Sequence, residues 1–296
     1  MSDTLASLRR KIGGAKDLLS VVGAMKALAA SNISHYEEAV RALADYYRAV
    51  QLGLSVCFRD LDSGMPEPEE NKQISAGAMG VVVFGSDQGL VGRFNDIVVA
   101  YAAEKLELRP RDLEVWAVGE RVHARLQDAG FQPAKLFSVP NSVEGITPLI
   151  GQILLESESL RARDENAELH LFYNRPESGA MFSPVSQRLL PLDARWQREA
   201  AGLAWPTKNL PEVIDGGTTT LRALIREHLF VSLFRACAES LASENASRLA
   251  AMQRAEKNID ELLENLNRSF HRLRQSSIDE ELFDIISGFE ALSAKD

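Results

Sequence analysis

The sequence has only two cysteines, Cys57 and Cys237, in 296 residues. That excludes a disulfide framework and fits a reducing compartment. No run of 18 apolar residues occurs, so no segment reads as a membrane span. Basic charge is in deficit: 33 Lys and Arg against 42 Asp and Glu leave a formal net charge of −9. Phosphate neutralisation needs a concentrated basic surface, so nucleic acid is not an expected partner. Proline is absent in a patterned way. All 11 prolines lie between Pro66 and Pro211, and residues 218–287 lack glycine as well. A stretch that long without a helix breaker reads as one helix of about 105 Å. A compact chain of this length has a radius of gyration of about 19 Å, so such a helix does not fit inside a globule.

The absences divide the chain into an N-terminal helical arm (1–65), a mixed middle (76–212) and a C-terminal helical arm (213–296). Along the first arm one seam reads Leu5, Ile12, Leu19, Lys26, Ile33, Val40, Tyr47, Leu54. The other reads Leu8, Ala15, Val22, Ala29, Tyr36, Leu43, Val50, Cys57. These are a and d positions of a heptad repeat, with Lys26 the one charged member. Ser2, Asp3 or Thr4 can cap the start, and Gly13, Gly14, Gly23 and Gly53 predict bends. The basic-then-apolar opening, Arg9-Arg10-Lys11 followed by Leu18–Ala30, mimics a signal peptide. However, Asp17 and Lys26 interrupt it and the helical period runs straight through.

The second arm repeats Met252, Ile259, Leu266 and Leu273 seven apart, preceded by Leu224, Val231 and Ala238. Ile278, Leu282, Ile285 and Phe289 continue at helical spacing. Asn245, Arg248, Ser269 and Ser276 break the seam. Mixed charge along this arm reads as a solvated face. Two long seams at opposite ends of a chain bury each other most simply as an antiparallel coiled coil.

The middle alternates strand and helix. Strands are expected at Gly80–Phe84, Leu113–Val118, Phe137–Val139 and Leu169–Tyr173. Helices are expected at Ile97–Leu108, Glu120–Ala129 and Gly145–Leu160. Alternation of this kind predicts a parallel-rich, Rossmann-like α/β sheet, entered through the linker Met65–Lys72. The fold class is therefore α plus α/β: a long antiparallel coiled coil of terminal helices with an inserted α/β domain.

Chemistry is sparse. The loop Gly85–Asn95 has the glycines of a phosphate-binding turn but neither the dinucleotide spacing nor a completing Lys-Ser or Lys-Thr, so it reads as a plain strand-to-helix turn. The five histidines have no metal-ligand spacing, and no nucleophile motif appears. Neither cofactor nor metal is expected. Glu280, Glu281 and Asp284 read as a solvated helix face. Lys26 has two readings: a register-setting polar in the seam, or a contact with a partner. Arg248, Arg274 and Gln275 read by default as helix polars.

The motifs LRRKIGGAKDLLSVVGAMKALAAS (8–31), SDQGLVGRFN (86–95) and the long segment 243–292 together resemble the gamma subunit of F-type ATP synthases. The resemblance spans both arms and the middle in the family's order. It implies a non-catalytic rotor shaft whose coiled coil stands inside a ring of alpha and beta subunits. Its α/β domain would meet the epsilon subunit and the membrane ring of c subunits, on the cytoplasmic side of the membrane. By motif it also implies that Arg248, Arg274 and Gln275 touch the beta subunits; Lys26, in its second reading, is the fourth candidate contact with them. The segment 32–38 is less basic than is usual there, Gln88 and Val91 stand where Arg and Cys are common, and 203–217 departs from the pattern. These point to a divergent member, such as the alternative N-type version proposed to handle Na⁺. A coiled-coil adaptor with an α/β head, or an α/β enzyme with helical extensions, are the competing readings.

Overall fold

The computed structural model describes residues 4–62, 77–106, 112–177, 180–192, 196, 200, 202–209, 211–213 and 217–293. The expected linker Met65–Lys72 lies outside the described residues. The chain divides into two compact units, Met1–Ala29 with Leu249–Asp296, and Ala30–Arg248.

Helix α1 runs Leu5–Asp62 and is capped by Thr4, whose Oγ1 accepts the amide of Ser7 at 3.2 Å. It contains Gly13, Gly14, Gly23 and Gly53 without a break. The seam carries the helix: Leu8, Ala15, Ala29, Tyr36, Val50 and Cys57 at d, with Leu54 at a, are buried. Each fully buried large apolar side chain contributes about 1.5–3 kcal/mol, enough to offset the propensity of about 1 kcal/mol lost at each glycine. The C-terminal helix, here α5, spans Gly217–Ser293, as the breaker-free run predicts.

The two long helices pair antiparallel. In the first unit Lys26 meets Glu256, and Arg9 lies over the Phe270 ring at 5.9 Å. Partner numbers rise on α5 as they fall on α1. In the second unit Asn32 faces Asn245, and Tyr47 stacks on His228 at 5.7 Å in the same sense.

The second unit also holds a five-stranded sheet of order β3-β2-β1-β4-β5. Strand β1 (Met79–Phe84) is central and pairs parallel with β2 (Leu113–Val118) and β4 (Glu168–Glu177). β3 (Pro133–Phe137) joins β2 in parallel, and β5 (Ala180–Leu190) closes the other edge antiparallel to β4. All six β1 residues are buried, as expected of a strand covered on both faces. Val81 and Val83 face one core with α2 (Phe94–Leu106) and α3 (Glu120–Asp128). Val82 and Phe84 face the other core with α4 (Ile146–Arg163) and with Tyr36, Leu233 and Cys237 of the long helices.

Two sequence expectations are corrected. The third strand lies at Pro133–Phe137 and not at Phe137–Val139, because the short polar approach PAKL pairs with β2 across a register shift at Val115/Trp116. β5 was not anticipated at all. Pro184 within AMFSPVSQRLL argues against a strand, and the chain resolves that by placing it at a sheet edge.

Candidate functional site

The four candidate contact residues fall in different settings. In the first unit, Lys26 Nζ donates to both carboxylate oxygens of Glu256, at 2.8 and 2.6 Å. Both side chains are about a third exposed. The Lys in the seam therefore has an acid opposite it, the arrangement a register-setting polar requires; sliding the helices by one heptad would part the charges by about 10 Å. Arg274 and Gln275 are exposed on α5, just beyond Phe270, where α1 runs out.

Past that point the α5 seam continues without an intramolecular mate among the described residues. Ile278, Leu282, Phe283 and Ile285 are 53%, 54%, 68% and 69% exposed, and Ile286 joins them. Ile278, Leu282 and Ile285 keep the helical spacing read from the sequence, but Arg9 already sits at Phe270 and α1 begins at Leu5, so that helix does not reach them. The side chain of Phe289 lies outside the described residues. On α1, Leu18, Val21 and Leu28 are also largely exposed. Scattered exposed leucines are ordinary, but a run along one helix end marks a surface for a partner. Sequence reading missed it because helical periodicity shows which face is apolar, not what covers it.

Arg248 belongs to the second unit and is not a free surface cation. Its Nη2 donates to Glu244 Oε1 at 2.7 Å, one turn back, with the side chains only 14% and 7% exposed. Burial pushes the Glu244 carboxyl above its usual range and the charge of Asp87 adds to this, while Arg248 opposes it. Tyr36, packed nearby from α1, is pushed up to about 12, first by burial and then by Cys237, Glu244 and Glu144. Burial likewise raises the Cys237 thiol, leaving it an inert core group. Next to the pair, Ser247 Oγ donates to the Val91 carbonyl at 2.5 Å, tying α5 to the loop after β1.

That loop is built to hold itself. Asn95 Oδ1 accepts the Ser86 amide at 3.0 Å and its Nδ2 donates to Ser86 Oγ at 2.8 Å. Asp87 accepts the amides of Glu120 and Val139, both at 2.9 Å, fastening the starts of α3 and of the segment after β3. Glycine is required where this turn meets the next one. A Cβ on Gly85 would lie 2.2 Å from Val122, and Gly119, at φ 119°, has the Ser86 backbone within 2.7–2.9 Å of where a Cβ would sit. A phosphate loop would offer free amides; here Asp87 puts a carboxylate at the strand ends instead. The groove of about 530 Å³ at the opposite ends of β1 and β2 is lined by Asp112, Glu114 and Asp164, with Arg163 paired to Glu114 at 2.7 Å. It is equally unsuited to an anion. Among the described residues no cluster of His, Cys, Asp and Glu is placed to hold a metal, and no helix is long and apolar enough to cross a membrane.

The sequence model of the family described as ATP synthase matches residues 4–292. The ATP synthase gamma chain of Nostoc sp. is 28% identical, over 98% of this chain and 99% of that protein. The gamma chain of Salinibacter ruber is 27% identical, over 97% and 98%. Two solved structures of the Euglena gracilis mitochondrial ATP synthase share the fold. The rotor in rotational state 1 has TM-score 0.63 at 16% identity, covering 93% of this chain and 98% of that one. The assembly of OSCP, F1 and c-ring in rotational state 3 has TM-score 0.67 at 18%, covering 98% and 95%. Matched from end to end, with the paired long helices and inserted sheet in the same order, the chain belongs to the ATP synthase family and aligns there with its gamma chains.

Proposed function

We propose that this chain is the central rotor shaft of an F-type ATP synthase. It couples ion flow through a membrane ring of c subunits to ATP synthesis or hydrolysis in a head of alpha and beta subunits, with an epsilon subunit against it on the cytoplasmic side. The observation that carries the reading is the family match over 4–292 on a chain whose terminal helices pair antiparallel. The chemistry agrees. A shaft needs stiffness and an uneven surface, not a nucleophile. Stiffness comes from two long helices with a buried seam. The uneven surface comes from the apolar α5 end, Ile278 to Ile286, and from Arg274 and Gln275 beside it.

In this reading the subunit performs no bond chemistry, and the nucleotide sites lie on the ring. Arg274 and Gln275 offer exposed donors to ring carboxylates or carbonyls. Arg248 offers those of its N–H groups that Glu244 does not use. Lys26 acts on the ring only indirectly, through the register it sets with Glu256. Reconstitution tests the proposal: the chain combined with its own alpha and beta subunits should form a stable complex whose ATP hydrolysis turns a bead fixed to the α/β domain. A complex that hydrolyses ATP at full rate with the bead stationary would refute it.

A further inference from the structure

The buried pair Glu244–Arg248 carries an inference that rests on the shaft reading and goes past it. Arg248 is the one candidate contact residue held by a buried acid on its own helix. A single bond, from Nη2, occupies one of its five N–H groups. The carboxylate that holds it is buried on α5, with Tyr36 of α1 and Asp87 of the β1–α2 loop close enough to act on it electrostatically, and Arg248 is its one hydrogen-bond partner among the described residues. Its other oxygen, Oε2, is buried and has no partner. An unpaired buried carboxylate oxygen is costly, and apolar side chains in place of the whole pair would be tolerated at least as well. The site thus carries a stability cost whose visible product is one arginine with a fixed direction.

We propose that Glu244 is a positioning residue, holding the Arg248 guanidinium in one orientation so that its remaining donors meet an oxygen acceptor on the ring. A free arginine loses rotamer freedom when it is captured by a partner; one already held loses less. Ser247, bonded to Val91, fixes the same turn of α5 against the β1–α2 loop, so the direction is set relative to the sheet unit as well as to the helix.

The test is a double-substitution cycle in the reconstituted complex, reading ATP-driven turnover and the rate at which the chain leaves the ring. Arg248→Gln should reduce both coupling and retention. Glu244→Gln should speed release by about 2- to 10-fold, the effect of one side chain that must now be immobilised on binding. In the Arg248→Gln background Glu244→Gln should add nothing. Glu244→Asp, which keeps the charge, should restore part of the loss. The melting temperature of the isolated chain separates this from a folding role: the double variant removes the pair whole and should melt at or above the wild type. Glu244→Gln alone leaves the buried Arg248 without its carboxylate and should melt lower, so release is read well below both melting temperatures. Wild-type release by Glu244→Gln beside a defective Arg248→Gln would overturn the positioning role alone. Additive losses in the double variant, or a double variant that melts far enough below the wild type to account for its release, would assign Glu244 to the fold and overturn it too. A wild-type Arg248→Gln would instead remove Arg248 from the ring contact.

Discussion

His228 gives a prediction whose size can be worked from the structure. It is buried on α5, stacked on Tyr47 at 5.7 Å and against Trp196 at 4.8 Å. Its Nδ1 is buried without a hydrogen-bond partner. Burial lowers its pKa from 6.5 to about 4. Above pH 6.5 the ring is neutral in both folded and unfolded chains, and there is no penalty. As the pH falls below 6.5 the unfolded chain takes up a proton that the folded chain refuses, so stability is lost until about pH 4, where the folded form titrates. The linkage is about 2 kcal/mol at pH 5 and roughly 3 kcal/mol below pH 4. The perturbation is His228→Phe, which keeps the aromatic contacts and cannot titrate. Urea unfolding of both proteins, followed by tryptophan fluorescence at pH 7 and pH 5, measures the difference. Other groups cancel in the comparison, so the wild type should lose about 2 kcal/mol more than the variant over that interval. Parallel losses in the two proteins would refute the reasoning, since they would mean that the site admits water or a partner when the ring is charged.

Three further outcomes follow from the same geometry. Asp87→Ala removes the acceptor of two backbone amides; the exposed Glu120 amide turns to water, while the part-buried Val139 amide left unpaired should cost about 1–3 kcal/mol, visible as a lower melting temperature. Arg274→Ala with Gln275→Ala should leave the circular dichroism of the isolated chain unchanged, because alanine is the better helix former. In complexes, turnover or retention of the subunit should fall; wild-type values for both would mean that these residues are only solvated helix polars. The isolated chain should show no submicromolar nucleotide affinity by calorimetry, because the loop 85–95 has no Walker-type lysine, spends the Ser86 amide on Asn95 and presents Asp87.

The two long helices were the most legible part of the fold. Heptad positions and the run without glycine or proline act over dozens of residues, so single exceptions such as Gly23 or Arg248 do not blur them. β1, β2 and β4 were legible because each is a short apolar run buried on both faces. The edges were not: β3 carries exposed residues, and β5 hides behind Pro184. Of the candidate site, Lys26 was visible as the one charge in a seam, but Glu256, its mate 230 positions away, was not. Arg248 was misleading in a different way. A Glu four residues before an Arg reads as an ordinary surface pair, and only the tertiary packing around α5 makes it a buried one. The apolar end of α5 was visible as periodicity, yet its exposure depends on how far α1 reaches, which no local pattern contains.

The antiparallel pairing also has a consequence for synthesis. α1 is finished when residue 62 has been made, but Lys26 and Arg9 find their mates at Glu256 and Phe270 only near the end of translation. At about 5–20 residues per second the ribosome takes roughly 10–40 s to cover that interval. Throughout it a heptad seam with nothing opposite it stands in water, and the seam prefers another apolar helix. A second nascent chain on the same message would offer one in the wrong register. Chains of this design should therefore depend on chaperones that shield an early helix, and fragments ending before about residue 250 should self-associate where the full chain does not.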